Sequence, residues 1–117
     1  MNSNSCPSKG AEYEDKAAQH LLAHGLALVC RNYHCRQGEI DLILRQDKML
    51  VFVEVRYRQN RRHGGALASV TPQKQHKIRL TAQHYLAAQH LNESRQACRF
   101  DVVAFEGDEV LWLRNAF

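Results

Sequence analysis

No uninterrupted apolar run in this sequence exceeds the five residues of 49–53. A membrane-spanning helix needs about 20, so no such helix is expected. Residues 1–10 carry neither the apolar core of a secretory signal nor the Arg-rich amphipathic pattern of a transit peptide, which points to the cytoplasm. Cysteine is scarce, at four residues, and without an export signal these read as reduced thiols. Cys30, His34 and Cys35 match no closed zinc spacing, and no fourth ligand is evident. There is no internal repeat, Walker loop, dinucleotide fingerprint or Gly-x-Ser-x-Gly elbow. Acidic residues are absent from 55 to 92, whereas Arg56, Arg58, Arg61, Arg62, Lys74, Lys77 and Arg79 all fall there.

The 117 residues, 44% hydrophobic and 24% charged, suit one globular domain spanning 1–117. Lys and Arg number 16 against 12 Asp and Glu, and the excess sits in that acid-free stretch. Clustered cations release counterions from a phosphate backbone, so the asymmetry suggests a polyanion-facing surface. A solvated basic face that binds nothing in particular has the same composition.

Hydrophobic spacing predicts a helix over 8–24, capped by Ser8 and stopped by Gly25, with Ala17, Ala18, Leu21 and Leu22 as its apolar stripe. Glu14 falls on the same face, an unusual place for a carboxylate. Strands are expected at 26–30, 39–45 and 49–57. Residues 1–7 are expected to be disordered, and 58–66 to form a mobile basic loop. Thr71-Pro72 starts a second helix running to about residue 91, with Ile78, Ala82, Tyr85 and Leu86 inward. A hairpin of 100–105 and 110–113 closes the chain. The expected fold class is α/β, a mixed central sheet flanked by helices in the order α-β-β-β-α-β-β.

If Asp47-Lys48 forms a two-residue turn, Gln46 pairs with Met49 and Asp41 stands opposite Glu54. Opposed Cβ atoms lie about 4.5–5.5 Å apart, and like charges at that distance oppose pairing. A Mg²⁺ or Mn²⁺ ion would relieve the repulsion, since such ions are commonly held by one or two carboxylates, water and a substrate phosphate. Glu14 could complete the seat. Three acids and a cationic side chain beside a basic surface suit metal-assisted phosphodiester hydrolysis. Two alternatives need no metal. The same register pairs Glu39 with Arg56, and a nearby arginine can neutralise Asp41 or Glu54. A one-residue slip would place Asp41 opposite Val55 and dissolve the pair.

At Gly38-Glu39-Ile40-Asp41-Leu42-Ile43 and Val51-Phe52-Val53-Glu54-Val55-Arg56-Tyr57-Arg58 the sequence resembles the YraN family of small bacterial proteins of unestablished function. The likeness extends to Glu14-x-x-Ala17-x-x-x-Leu21-x-x-x-Gly25, Ser69-Val70-Thr71 with Lys74-Gln75-His76-Lys77, and Arg99-Phe100-Asp101-Val102-Val103. That family is in turn similar to the PD-(D/E)XK nuclease superfamily, whose restriction-endonuclease-like (tRNA-endonuclease-like) fold occurs in Holliday-junction resolvases. The resemblance implies that Asp41 and Glu54 are the motif acids and Glu14 the helical glutamate, and that the Val55 carbonyl ligates metal. Ile40 replaces the motif proline and Arg56 the motif lysine. Arginine keeps the charge but cannot serve as a general base.

The function expected from this reading is metal-dependent endonucleolytic cleavage of DNA, with branched or junction DNA as a candidate substrate. Glu14, Asp41, Glu54 and Arg56 would be catalytic; Glu14, Asp41, Glu54 and Val55 would hold Mg²⁺ or Mn²⁺. Arg58, Arg61, Arg62, Lys74, Lys77 and Arg79 would hold nucleic acid, DNA before RNA. No membrane partner is expected, and a homodimer is one candidate assembly. The alternatives are a non-catalytic nucleic-acid-binding module on the same fold and an adaptor for an acidic protein.

Overall fold

The computed structural model describes residues 9–58 and 65–117. Ser8, the 1–7 stretch, and most of the 58–66 loop with Arg61 and Arg62 lie outside the described residues. Helix α1 (Lys9–Ala23) ends before Gly25, which takes a left-handed φ of 93°. Ala17, Ala18 and Leu21 are buried, but Leu22, expected beside them, is 44% exposed. At about 100° per residue, the centre of the buried arc falls near Leu21 and Glu14, and Leu22 lies roughly 90° away.

The strands are β1 (Ala27–Cys35), β2 (Gly38–Gln46), β3 (Met49–Arg58), β4 (Cys98–Glu106) and β5 (Glu109–Leu113), with helix α2 (Pro72–Ala88) between β3 and β4. This is the expected order, although β1 extends well beyond 26–30. The strands form one sheet in sequence order. Every neighbouring pair is antiparallel except β3 with β4, which are parallel; α2 supplies the crossover that parallel strands require. Helix α2 starts as expected: the Thr71 hydroxyl accepts the Lys74 N–H, and Pro72 occupies the first turn.

The helices cover opposite faces. Ala17, Ala18 and Leu21 of α1 pack with Leu42, Leu44, Val51, Val53 and Val103. Ile78, Ala82, Tyr85 and Leu86 of α2 pack with Ile40, Ile43, Leu50, Phe52 and Val102. Strand β3 is therefore covered on both sides, which accounts for an unbroken apolar run at 50–53.

The β2–β3 hairpin has the expected register, Gln46 with Met49 through Leu42 with Val53, closed by Asp47 at φ 54°. The ladder stops there, one step short of Asp41 and Glu54. Strict alternation would put Ile40 on the same face as Leu42, yet Ile40 joins the α2-side core and Leu42 the α1-side core. Side-chain alternation in β2 thus breaks at Asp41. The facing residue of β1, Asn32, takes a left-handed φ of 51°, so both strands are irregular at that level. The Asp41 carboxylate accepts the Val55 N–H at 2.8 Å, taking up a backbone donor where the ladder has ended.

Ahead of α2 the Ala66 N–H donates to Glu106 at 2.8 Å. Gly65, at φ 71°, lies so close that a Cβ there would overlap the Glu106 carboxylate.

Candidate functional site

A cavity of about 440 Å³ opens where β2 and β3 part. Glu39, Asp41, Glu54 and Arg56 line it from the strands, Tyr13 and Glu14 from α1, and Lys74 and Lys77 from α2. The side chains of Asp41 and Glu54 come within hydrogen-bonding reach of each other. Arg56 Nη2 contacts Glu54 Oε2 at 2.6 Å. Across the cavity Asn32 hydrogen-bonds Glu14, and the Asp41 charge reaches it.

Burial, then the charge of Asp41, pushes the Glu54 carboxyl up to about 8 against the pull of Arg56. Burial likewise raises Asp41, against the Val55 N–H. Glu14 is pushed up to about 7 by burial and then by Asp41. The folded protein therefore holds protons that the unfolded chain releases at lower pH, and stability should fall as pH rises from about 5 to about 8. The slope for Glu54 alone reaches at most about 1.4 kcal/mol per pH unit and flattens above its folded pKa. Thermal melts between pH 5 and 9 check this, with Glu54→Gln expected to flatten the profile. A melting temperature that climbs across that window would contradict the raised carboxyls.

Of the residues expected at the site, Glu14, Asp41, Glu54, Val55, Arg56, Lys74 and Lys77 meet at this cavity. Arg79 does not. Its guanidinium lies over the Phe100 and Phe117 rings at 5.0 and 5.6 Å. Arg58 is exposed and does not line the cavity. The cross-strand pairing of Glu39 with Arg56 is replaced by the same-strand pair of Arg56 with Glu54, because the ladder ends before Glu39 comes opposite Arg56. Glu39, Tyr13 and Tyr57 also line the cavity; Glu39 was expected only as a partner of Arg56, and neither tyrosine was expected at the site. Adjacency in sequence to Glu14 and Arg56 was the one available signal for the two tyrosines. Cys30, Cys35 and Cys98 are free thiols.

Among the described residues no group of three or more His, Cys, Asp or Glu side chains is gathered to hold a metal ion. Glu14 shares the cavity with the other two acids but stands apart from their pair. The donors still suit a hard cation. Two carboxyl side chains already adjoin at the cavity, and Mg²⁺ commonly binds through one or two carboxylates, completing its shell with water and phosphate. Arg56 Nε is buried with no hydrogen-bond partner among the described residues, a donor that an anionic oxygen would satisfy.

Fold and site together define a small α/β protein with a mixed five-stranded sheet and an acidic cavity rimmed by lysines. No helix among the described residues is long and apolar enough to cross a membrane. The description "Uncharacterised protein family UPF0102" matches residues 13–105, and the chain belongs to that family, in agreement with the YraN resemblance. It is 61% identical over 113 residues to a UPF0102 protein of Aeromonas hydrophila, covering 97% of this chain and 87% of the relative. It is 52% identical over 111 residues to one of Cupriavidus taiwanensis, covering 94% and 82%. A relative from Saccharophagus degradans is 50% identical over 111 residues, covering 92% and 91%.

Proposed function

We propose that this protein is a Mg²⁺- or Mn²⁺-dependent nuclease that hydrolyses phosphodiester bonds, with DNA as its first substrate class. The observation that carries the reading is the convergence of Asp41, Glu54 and Glu14 on one cavity that also presents Arg56, Lys74 and Lys77. Acids held at such proximity together with phosphate-binding cations are the usual equipment of metal-assisted phosphoryl chemistry. The likeness to the PD-(D/E)XK superfamily points the same way, although a fold alone assigns no substrate.

Asp41 and Glu54 would hold the cation, with the Val55 carbonyl beside them. When bound, the cation supplies Lewis-acid stabilisation and lowers the pKa of a water molecule. Glu14, with a carboxyl near neutrality, is placed across the cavity to accept a proton from attacking water at its carboxylate oxygens. Arg56, whose Nε has no hydrogen-bond partner among the described residues, would donate from its guanidinium to the phosphate oxygens. Its permanent charge suits it to stabilise the transition state and not to act as a base. Lys74 and Lys77 hold the flanking backbone as point charges.

The test is cleavage of a labelled panel of single-stranded, duplex and four-way-junction DNA, with the RNA equivalents, in Mg²⁺, Mn²⁺ or EDTA. Metal-dependent cleavage of any member supports the reading, and no cleavage across the panel refutes it. Lys74→Ala and Lys77→Ala should each weaken DNA binding across sequences and lower the slope of log K against log salt by about 1. Fluorescence anisotropy at several salt concentrations measures that change.

A second reading has its own observation. Arg56 already contacts Glu54, and burial favours the neutral form of both acids, so the same cavity is stable without metal as a nucleic-acid-binding module. Salt-sensitive binding without metal-dependent cleavage, and melting temperatures unmoved by Mn²⁺, would favour it.

A further inference from the structure

The cavity wall next to the acids is aromatic. Tyr13 and Tyr57 both line it, and their rings stack with centroids 4.3 Å apart at 17°. Phe105 backs Tyr13 at 5.0 Å, so the pair is braced from the core side. Tyr13 directly precedes Glu14 and Tyr57 directly follows Arg56 in sequence, which ties the stack to the groups that would flank a scissile phosphate. Both rings pack against the rim of the α1-side core and are only partly buried, so part of each stays open to the cavity.

We infer that the Tyr13–Tyr57 stack is a base-binding subsite, and that the substrate places an unpaired nucleobase against it. Planar aromatic surface beside phosphate-binding cations recognises the π-face of a base. Inside a continuous duplex that face is covered by neighbouring base pairs and cannot reach a side-chain stack. The substrate class is therefore nucleic acid with at least one unstacked nucleotide next to the cleaved bond: a single strand, a flap or a branch point. This inference rests on the nuclease reading for the position of the scissile bond, but the stack would bind a base whether or not the acids are catalytic.

Binding is measured by anisotropy in EDTA, which keeps catalysis out of the readout. The probe is a fluorescein-labelled oligothymidylate of about 12 nucleotides, compared with the same strand carrying abasic sites and with a blunt duplex of equal length. The single strand is expected to bind more tightly than the duplex. Tyr57→Ala and Tyr13→Leu should each weaken single-strand binding by about 5- to 100-fold, while Tyr57→Phe and Tyr13→Phe retain it. Removing bases should weaken binding to the wild type and have little further effect on Tyr57→Ala. Circular dichroism and melting curves identify any variant that fails to fold, and the abasic series on the wild type tests the idea without a variant. Equal affinity for abasic and intact strands would overturn the subsite even if metal-dependent cleavage is found. Base-dependent binding with no cleavage in any metal would keep the subsite and refute the nuclease.

Discussion

Replacing Asp41 by Asn is expected to reduce metal-dependent cleavage by about a hundredfold or more, and in metal-free buffer at about pH 8 to leave the protein folded and at least as stable as the parent. The two outcomes have one origin. Asp41 accepts the Val55 N–H, and its charge helps to raise the neighbouring Glu54 carboxyl. An asparagine oxygen can keep the first contact, and its amide can donate to an ionised Glu54, which Arg56 already approaches. The change removes a buried like-charge conflict while deleting a ligand. Mn²⁺ at about 100 times its dissociation constant would stabilise the parent by about 2.7 kcal/mol, and that increment should vanish in the variant. A loss of activity accompanied by unfolding would show that Asp41 mainly ends the β2–β3 ladder. Full cleavage by the variant would remove the metal role altogether.

Much of the site's position is written in local sequence. The two-residue turn at Asp47-Lys48 sets the register by which Asp41 and Glu54 come to adjoin, and Thr71-Pro72 starts α2 where Lys74 and Lys77 reach the cavity from its first turns. Glu14 was legible because a 3.6-residue period places it at the centre of the α1 arc. What escaped depends on tertiary geometry. A period-two rule has no way to announce that β2 breaks step at Asp41, since the break arises from strands parting and from Asn32 turning left-handed on the neighbouring strand. Leu22 follows the helical period but falls outside the narrow contact of α1 with the sheet. Arg79 shares a helix with Lys74 and Lys77, yet aromatic rings on the far side of the fold hold its guanidinium. Charge counting along a chain cannot separate these three cations.

The largest loss of stability is expected outside the cavity lining, at Asp101 in the motif Arg99-Phe100-Asp101-Val102-Val103. Asp101 is fully buried, and its oxygens accept four contacts: Arg99 Nε at 3.0 and 3.1 Å, Trp112 Nε1 at 2.9 Å and the Asn115 N–H at 2.9 Å. These partners come from β4, from β5 and from the turn after it. The Arg99 guanidinium extends the network to Gln46 at the β2–β3 turn, at 2.8 Å. Asp101→Ala would leave an arginine, an indole N–H and a backbone N–H in the interior without their acceptor, whereas an intact pair offsets its own desolvation only while both members are present. The expected cost is about 3–5 kcal/mol, which for a domain of this size lowers the melting temperature by about 10–20 °C. Asp101→Asn keeps one acceptor oxygen and should cost less. Combining Asp101→Ala with Arg99→Met removes the orphaned cation and should recover part of the loss, so denaturant melts of the single and double variants measure the coupling directly. A cost below about 1 kcal/mol for Asp101→Ala, or strict additivity in the cycle, would mean that water satisfies these donors and that the network does not hold the hairpin in place.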